Sequence, residues 1–191
     1  MIALSATAAD SEANFKLMKE TVSSVIDRYG IGKVRYSVIL FGNTIDMTYG
    51  FRDNLTHKEE LMGVISKLPK RMTGRPAVGA VLRKVVEIFN SGEVRTGSTK
   101  AFIVIMDNTS GLNPDNLRTN SRPLHEMSVI VVPVVAGNVT NTNALAQIAQ
   151  KGRPVISVPR TKEPELLGEK IMKEVFEGIK TSNSIYCGGS L

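Results

Sequence analysis

Cysteine is nearly absent from this 191-residue chain. Cys187 is the only one, so no disulfide can close within the sequence. It sits in a Gly/Ser stretch (Cys187, Gly188, Gly189, Ser190) that reads as a flexible tail over 182–191, behind one domain over 1–181. Two readings of that thiol stand: an inert terminal group, or half of a disulfide whose partner lies outside this sequence. Long apolar runs are missing as well. None approaches the ~18 residues of a membrane span, and no signal peptide is expected ahead of the fold. Aromatic residues make up only 5% of the chain, and there are two histidines. Sixteen glycines and eight prolines stay below the levels of collagen or low-complexity chains. These shortages exclude a fibre, a disordered tail, a disulfide scaffold and a membrane protein. The length suits one domain at roughly 150 residues each, large enough to bury about 70% of its unfolded surface. What is present in excess is positive charge, 24 Lys+Arg against 18 Asp+Glu, for a net +6.

The apolar pattern alternates between two periods. Short runs at Ile2–Leu4, Tyr36–Phe41, Ala101–Met106, Val129–Val135 and Val155–Val158 are rich in Val and Ile and apolar at successive positions. Such runs predict strands of a parallel sheet covered on both faces. Pro133 has no ladder donor, so its strand should carry a bulge or a free edge there. Between the runs lie helical stripes. Phe15, Met18, Val22, Val25, Ile26 and Tyr29 share one face, with Ser11 or Asp10 as cap and Gly30 as stop. Val78, Val81, Leu82, Val85 and Phe89 form a second stripe, and Leu145, Ile148 and Ala149 a shorter third. A helix is expected from Pro164 to Ile179, with Glu169 four residues before Lys173 as a pair. Another, from His57 to Leu68, follows a hairpin in which Thr44–Phe51 returns beside Tyr36–Phe41. The fold class is α/β: a doubly wound, mostly parallel sheet with one short antiparallel edge strand and helices on both faces.

Open α/β sheets bind ligands beyond the carboxyl ends of their strands, at the topological switch point. Four segments should reach that crevice: 5–11, 72–78, 107–113 and 136–142. The first loop, Ser5-Ala6-Thr7-Ala8-Ala9-Asp10-Ser11, contains no glycine, so neither a dinucleotide turn nor a P-loop can be built there. A Gly-x-Ser-x-Gly elbow is missing too. His57 and His125 are expected on the surface away from the crevice, as solvated residues rather than bases or ligands. No nucleophile–base pair supports an enzyme.

Several stretches carry a family resemblance. Asn14-Phe15-Lys16-Leu17-Met18-Lys19, then Val34-Arg35-Tyr36-Ser37-Val38-Ile39-Leu40-Phe41-Gly42, resemble the von Willebrand factor type A domain. Lys58-Glu59-Glu60-Leu61, Val78-Gly79-Ala80-Val81-Leu82 and the strand running into Asp107 follow in the same order. The resemblance implies a Rossmann-like fold and a metal-ion-dependent adhesion site, in which an Asp-x-Ser-x-Ser loop, a Thr and the central-strand Asp hold a divalent cation. Here the loop reads Ser5-x-Thr7-x-Ala9, and Pro76 stands where the Thr is expected. Asp107 is kept. The vestigial positions are therefore Ser5, Thr7 and Asp107, one carboxylate and two hydroxyls, a weak anchor for Mg²⁺ or Mn²⁺. No cofactor is expected beyond weak binding of either ion. Without a cation, Asp107 should accept backbone N–H bonds at its own turn, aided by Asn108 and Thr109.

Lys67, Lys70, Arg71 and Arg75 place four cations within nine residues in the loop that borders the crevice. That rim should be positive and suited to acidic partners such as sulfated glycans, or simply a solvated loop. Aromatics do not interleave with these cations, which argues against nucleic acid. The expected ligand face is Thr7, Arg75, Asp107 and Thr109. The resemblance implies an extracellular interaction module that binds matrix proteins such as collagens, or sister domains. Sequons at Asn54, Asn108 and Asn138 are candidate N-glycosylation sites in a secreted setting.

Overall fold

Strands and helices alternate along the chain in the computed structural model, which describes residues 1–7, 11–32, 34–53, 57–69, 74–107, 109–136, 142–150, 152–158 and 164–187. Side chains are described as far as residue 180, apart from that of Val158. The strands are β1 (Ile2–Ser5), β2 (Val38–Phe41), β3 (Ile45–Tyr49), β4 (Ala101–Met106), β5 (Ile130–Ala136) and β6 (Ile156–Val158). The helices are α1 (Glu12–Tyr29), α2 (Lys58–Ser66), α3 (Val78–Asn90), α4 (Pro114–Glu126), α5 (Asn143–Ala146) and α6 (Pro164–Cys187). The sheet runs β3-β2-β1-β4-β5-β6, parallel throughout except for β3, which returns antiparallel beside β2 at one edge. This is the expected α/β architecture, and its order reverses between β1 and β4.

Strict alternation along the strands divides the core in two. Ile103 and Ile105 of β4 join Leu4, Leu40 and Val132 against α1, α2 and α6. Phe102, Val104 and Met106 join Ala3, Phe41 and Val131 against α3, α4 and α5. Because both faces are covered, successive residues of β2, β4 and β5 are all apolar, and burying each large one is worth about 1.5–3 kcal/mol. Pro133 pairs with Val104 on one side, while β6 begins to pair only at Val134. The nitrogen of Ile130 points to Lys100 of the β4 side, so by alternation that of Pro133 points the other way, ahead of β6. The expected free edge is therefore local.

Ser11 caps α1, its Oγ accepting from the nitrogen of Asn14 at 3.0 Å, and Gly30 at φ 64° closes the helix by donating to Ile26 O. Asp10, the other candidate cap, lies outside the described residues. One helix was not foreseen. α4 buries only Leu117, Ser121 and Leu124, too sparse a stripe to register as apolar periodicity. α6 also differs from expectation. It continues to Cys187 rather than stopping at Ile179, six residues into the segment read as a tail, because no Gly or Pro interrupts 179–187. Glu169 pairs with Arg28 of α1 at 3.2 Å rather than with Lys173, which ties α6 to its neighbour helix.

Candidate functional site

The crevice lies where β1 and β4 end side by side. Ser5 closes β1 and Thr7 follows it, both fully buried. β4 runs from the core into Asp107, half-buried at the mouth. Its Oδ2 accepts two hydrogen bonds from α1: from the backbone N–H of Ser11 at 3.0 Å and from Nδ2 of Asn14 at 2.8 Å. Asn14 is itself only 4% exposed. The carboxylate thus sits at a helix N-terminus, where the backbone N–H groups and the helix dipole favour negative charge. Its other oxygen, Oδ1, is buried and meets no hydrogen-bond donor among the described residues.

This arrangement revises one expectation. Asp107 does accept a backbone N–H, but the donor lies across the crevice on Ser11 instead of in its own turn. Asn108 lies outside the described residues, and Thr109 is half-buried with its carbonyl accepting from Leu112 N at 3.3 Å. Asn14 was read only as part of the α1 stretch. Its partner is 93 residues away, and no spacing in the sequence announces the pair.

The other wall comes from the α2–α3 connection. Ala77 N donates to Gly42 O at 2.7 Å, pinning that connection to the β2–β3 turn. Gly74, at φ 75°, lies so close to Asn43 that an added Cβ would stand 3.0 Å from the Asn43 Cβ. Pro76 is buried and supplies no oxygen donor from its side chain. Arg75 is exposed and reaches across to the β4–α4 loop: a Cβ on Gly111 would stand 2.9 Å from its Nη1. Gly111, at φ 74°, is therefore doubly required, by its backbone and by the guanidinium above it.

The structure thus brings Arg75 and the Asp107 loop together. Lys67, exposed at the end of α2, instead borders the seam with α1, where Lys19 Nζ donates to Ser66 O at 2.9 Å. Lys70 and Arg71 lie outside the described residues, as do Asn54 and Asn138. Of the two histidines, His57 is exposed as expected. His125 is not simply solvated: it is half-buried, with Nε2 3.0 Å from Ile148 O, joining the end of α4 to the α5 region.

A hard dication prefers an oxygen shell anchored by carboxylates. Among the described residues, the donors at this crevice are one carboxylate, whose Oδ2 already takes two hydrogen bonds, and the hydroxyls of Ser5 and Thr7. That described set, with a single carboxylate, is a weak anchor for such an ion.

The von Willebrand factor type A domain family model matches residues 5–169. Among solved structures, the chain is similar to proximal thread matrix protein 1 from the mussel byssus (TM-score 0.77, 20% identity, 91% of this chain and 46% of that one). A second structure of that mussel protein, with zinc in its metal-ion-dependent adhesion site motif, aligns at TM-score 0.72 and 22% identity over 89% of this chain and 43% of that one. The manganese-loaded TRAP protein of Plasmodium vivax aligns at TM-score 0.70 and 14% identity, over 87% of this chain and 69% of that one. An aerotolerance-related membrane protein of Bacteroides fragilis aligns at 0.72 and 14%, over 93% and 98%. The chain thus spans just under half the length of the mussel protein, and at these identities the likeness concerns the fold.

Proposed function

Because this chain belongs to the von Willebrand factor type A domain family, we propose that it is a non-enzymatic interaction module of an extracellular matrix or adhesion protein that binds without a cation. Its partners are matrix proteins such as collagens, or sister domains of a longer chain, and acidic groups such as sulfated glycans at the Arg75 side. The ligand face is the crevice: Thr7, Arg75, Asp107 and Thr109. The observation that carries cation independence is the Asp107 carboxylate, whose Oδ2 is held by Ser11 and Asn14. Its charge is already stabilised by the helix it touches, so this carboxylate needs no cation to balance it.

Thermal unfolding with and without millimolar Mg²⁺ or Mn²⁺ tests this. A cation bound at a hundredfold excess over its dissociation constant would add about 2.7 kcal/mol, a rise of roughly 5–10 °C for a chain of this size. The expected result is no rise. A rise of that size that disappears in Asp107→Ala would overturn the reading in favour of a cation-dependent adhesion site, which the buried Oδ1 of Asp107 would then serve.

A further inference from the structure

The two borders of the sheet are unlike. Among the described residues β6 spans three at one border, whereas β3 forms the other with five, Ile45–Tyr49, none of them proline. β3 is bonded on one side alone, to β2, and the phase of that pairing decides which backbone groups are left over. Gly42 N donates to Thr44 O at 2.9 Å, so by antiparallel alternation Leu40 and Asp46 also form a hydrogen-bonded pair. The far side of β2 agrees. Ser37 O and Phe41 O accept from Ile2 N and Ala6 N, so Leu40 between them faces β3. Ile45 and Met47 therefore turn their N–H and C=O groups outward, and among the described residues no hydrogen bond outside the sheet reaches them. Tyr49 pairs with Val38 and Met47 with Ile39, which leaves Thr48 as the extra residue of a bulge that ends this regular stretch.

Asp46 stands between the two open residues. It is exposed, and its carboxylate makes no ion pair or hydrogen bond among the described residues. Ile45 and Met47 share the opposite face, where Ile45 packs against the core and Met47 is 37% exposed. A strand added antiparallel here would exchange backbone hydrogen bonds with Ile45 and Met47. Its middle residue would then face Asp46 across a non-hydrogen-bonded pair, where side chains come closest. Opposite charges in that position stabilise a sheet and like charges destabilise it. A second copy joined by a twofold axis sets Ile45 of each copy against Met47 of the other. That register brings the two Asp46 carboxylates face to face, so the border disfavours its own kind.

We propose that the β3 border is a docking edge for an extended segment of a partner protein, one that carries Lys or Arg between two apolar residues. The segment adds antiparallel to β3. Its backbone bonds to Ile45 and Met47 supply the affinity, and its side chains supply the specificity: the cation pairs with Asp46 while the apolar residues lie beside Ile45 and Met47. Asp46 thereby selects the partner and refuses a second copy. This surface is separate from the crevice, and its test does not depend on the proposed adhesion function.

Amide NMR of the full chain, titrated with the end-blocked peptide Thr-Val-Lys-Val-Thr, reads the edge directly. Saturable shifts centred on the Ile45 and Met47 amides are expected, with slowed hydrogen exchange at both. The same peptide with Glu in place of Lys should bind at least about threefold more weakly, because its carboxylate opposes Asp46. Asp46→Lys should reverse that order, and Asp46→Asn should bring the two peptides level. Absence of saturable shifts at these two amides, equal binding of the two peptides to the unaltered chain, or an unchanged order in Asp46→Lys would each overturn the proposal. The comparison of peptides uses the unaltered chain and so stands whatever the variants do to folding.

Discussion

The two ends of the central strands solve opposite problems. At the carboxyl end, β1 and β4 deliver Ser5, Thr7 and Asp107 into a crevice where Asp107 is held by Ser11 and Asn14, and Arg75 lies over Gly111. At the amino end, the same strands border an apolar cavity of about 400 Å³ near a buried phenol with no hydrogen-bond partner among the described residues. At the first pole one carboxylate oxygen is held by two donors, while the other, Oδ1, has none among the described residues. In a doubly wound fold the carboxyl end is the customary place to look for a ligand, and here a buried polar atom without a partner among the described residues stands at each end, Asp107 Oδ1 at one and the Tyr36 hydroxyl at the other.

Removing Asp107 should expose the difference most strongly. Asp107→Ala leaves the Ser11 N–H and the buried Asn14 amide without their acceptor, and the expected loss is about 3 kcal/mol in denaturant unfolding. Asn14→Ala should lose less, and a double-mutant cycle should return a coupling of about 0.5–3 kcal/mol between them. A coupling of zero would mean that the carboxylate does not tie the crevice together. The same experiment at the other pole should go the opposite way. Tyr36→Phe deletes a buried hydroxyl that has no partner among the described residues, so stability should hold or rise by up to about 1 kcal/mol. A loss larger than that would reveal a partner for the phenol and erase the contrast.

The smallest effect concerns the rim. Neutralising Lys70, Arg71 and Arg75 together should lower the salt at which the chain leaves a heparin column, because exposed charges act through a screened field. Unchanged elution of the triple variant would confine the +6 charge to a role in solubility.

Much of this could be read from residues in order. Ala101–Met106 is apolar without a break because both faces of β4 are covered, and the strand leads directly to Asp107. The antiparallel edge strand followed from the short return after Phe41. α4 escaped notice because nine of its thirteen residues carry polar or charged side chains and only three positions are buried. The signal available was its start, Asn113 followed by Pro114, with the Asn side chain accepting from Asn116 N. Asn14 and Tyr36 were invisible for a different reason. Nothing local marks a side chain whose significance depends on a strand end 93 residues away or on a space left between helix and sheet.

The prolines near the last strand have a consequence beyond local pairing. Pro133 withholds a ladder donor just ahead of β6, and Pro154 stands two residues before that strand begins. Among the described residues β6 spans three, so this described stretch offers a second molecule little open backbone to extend. Short, proline-flanked borders of this kind keep sheets from joining edge to edge. A chain crowded among copies of itself would thereby resist fusing into a continuous β-structure along that border.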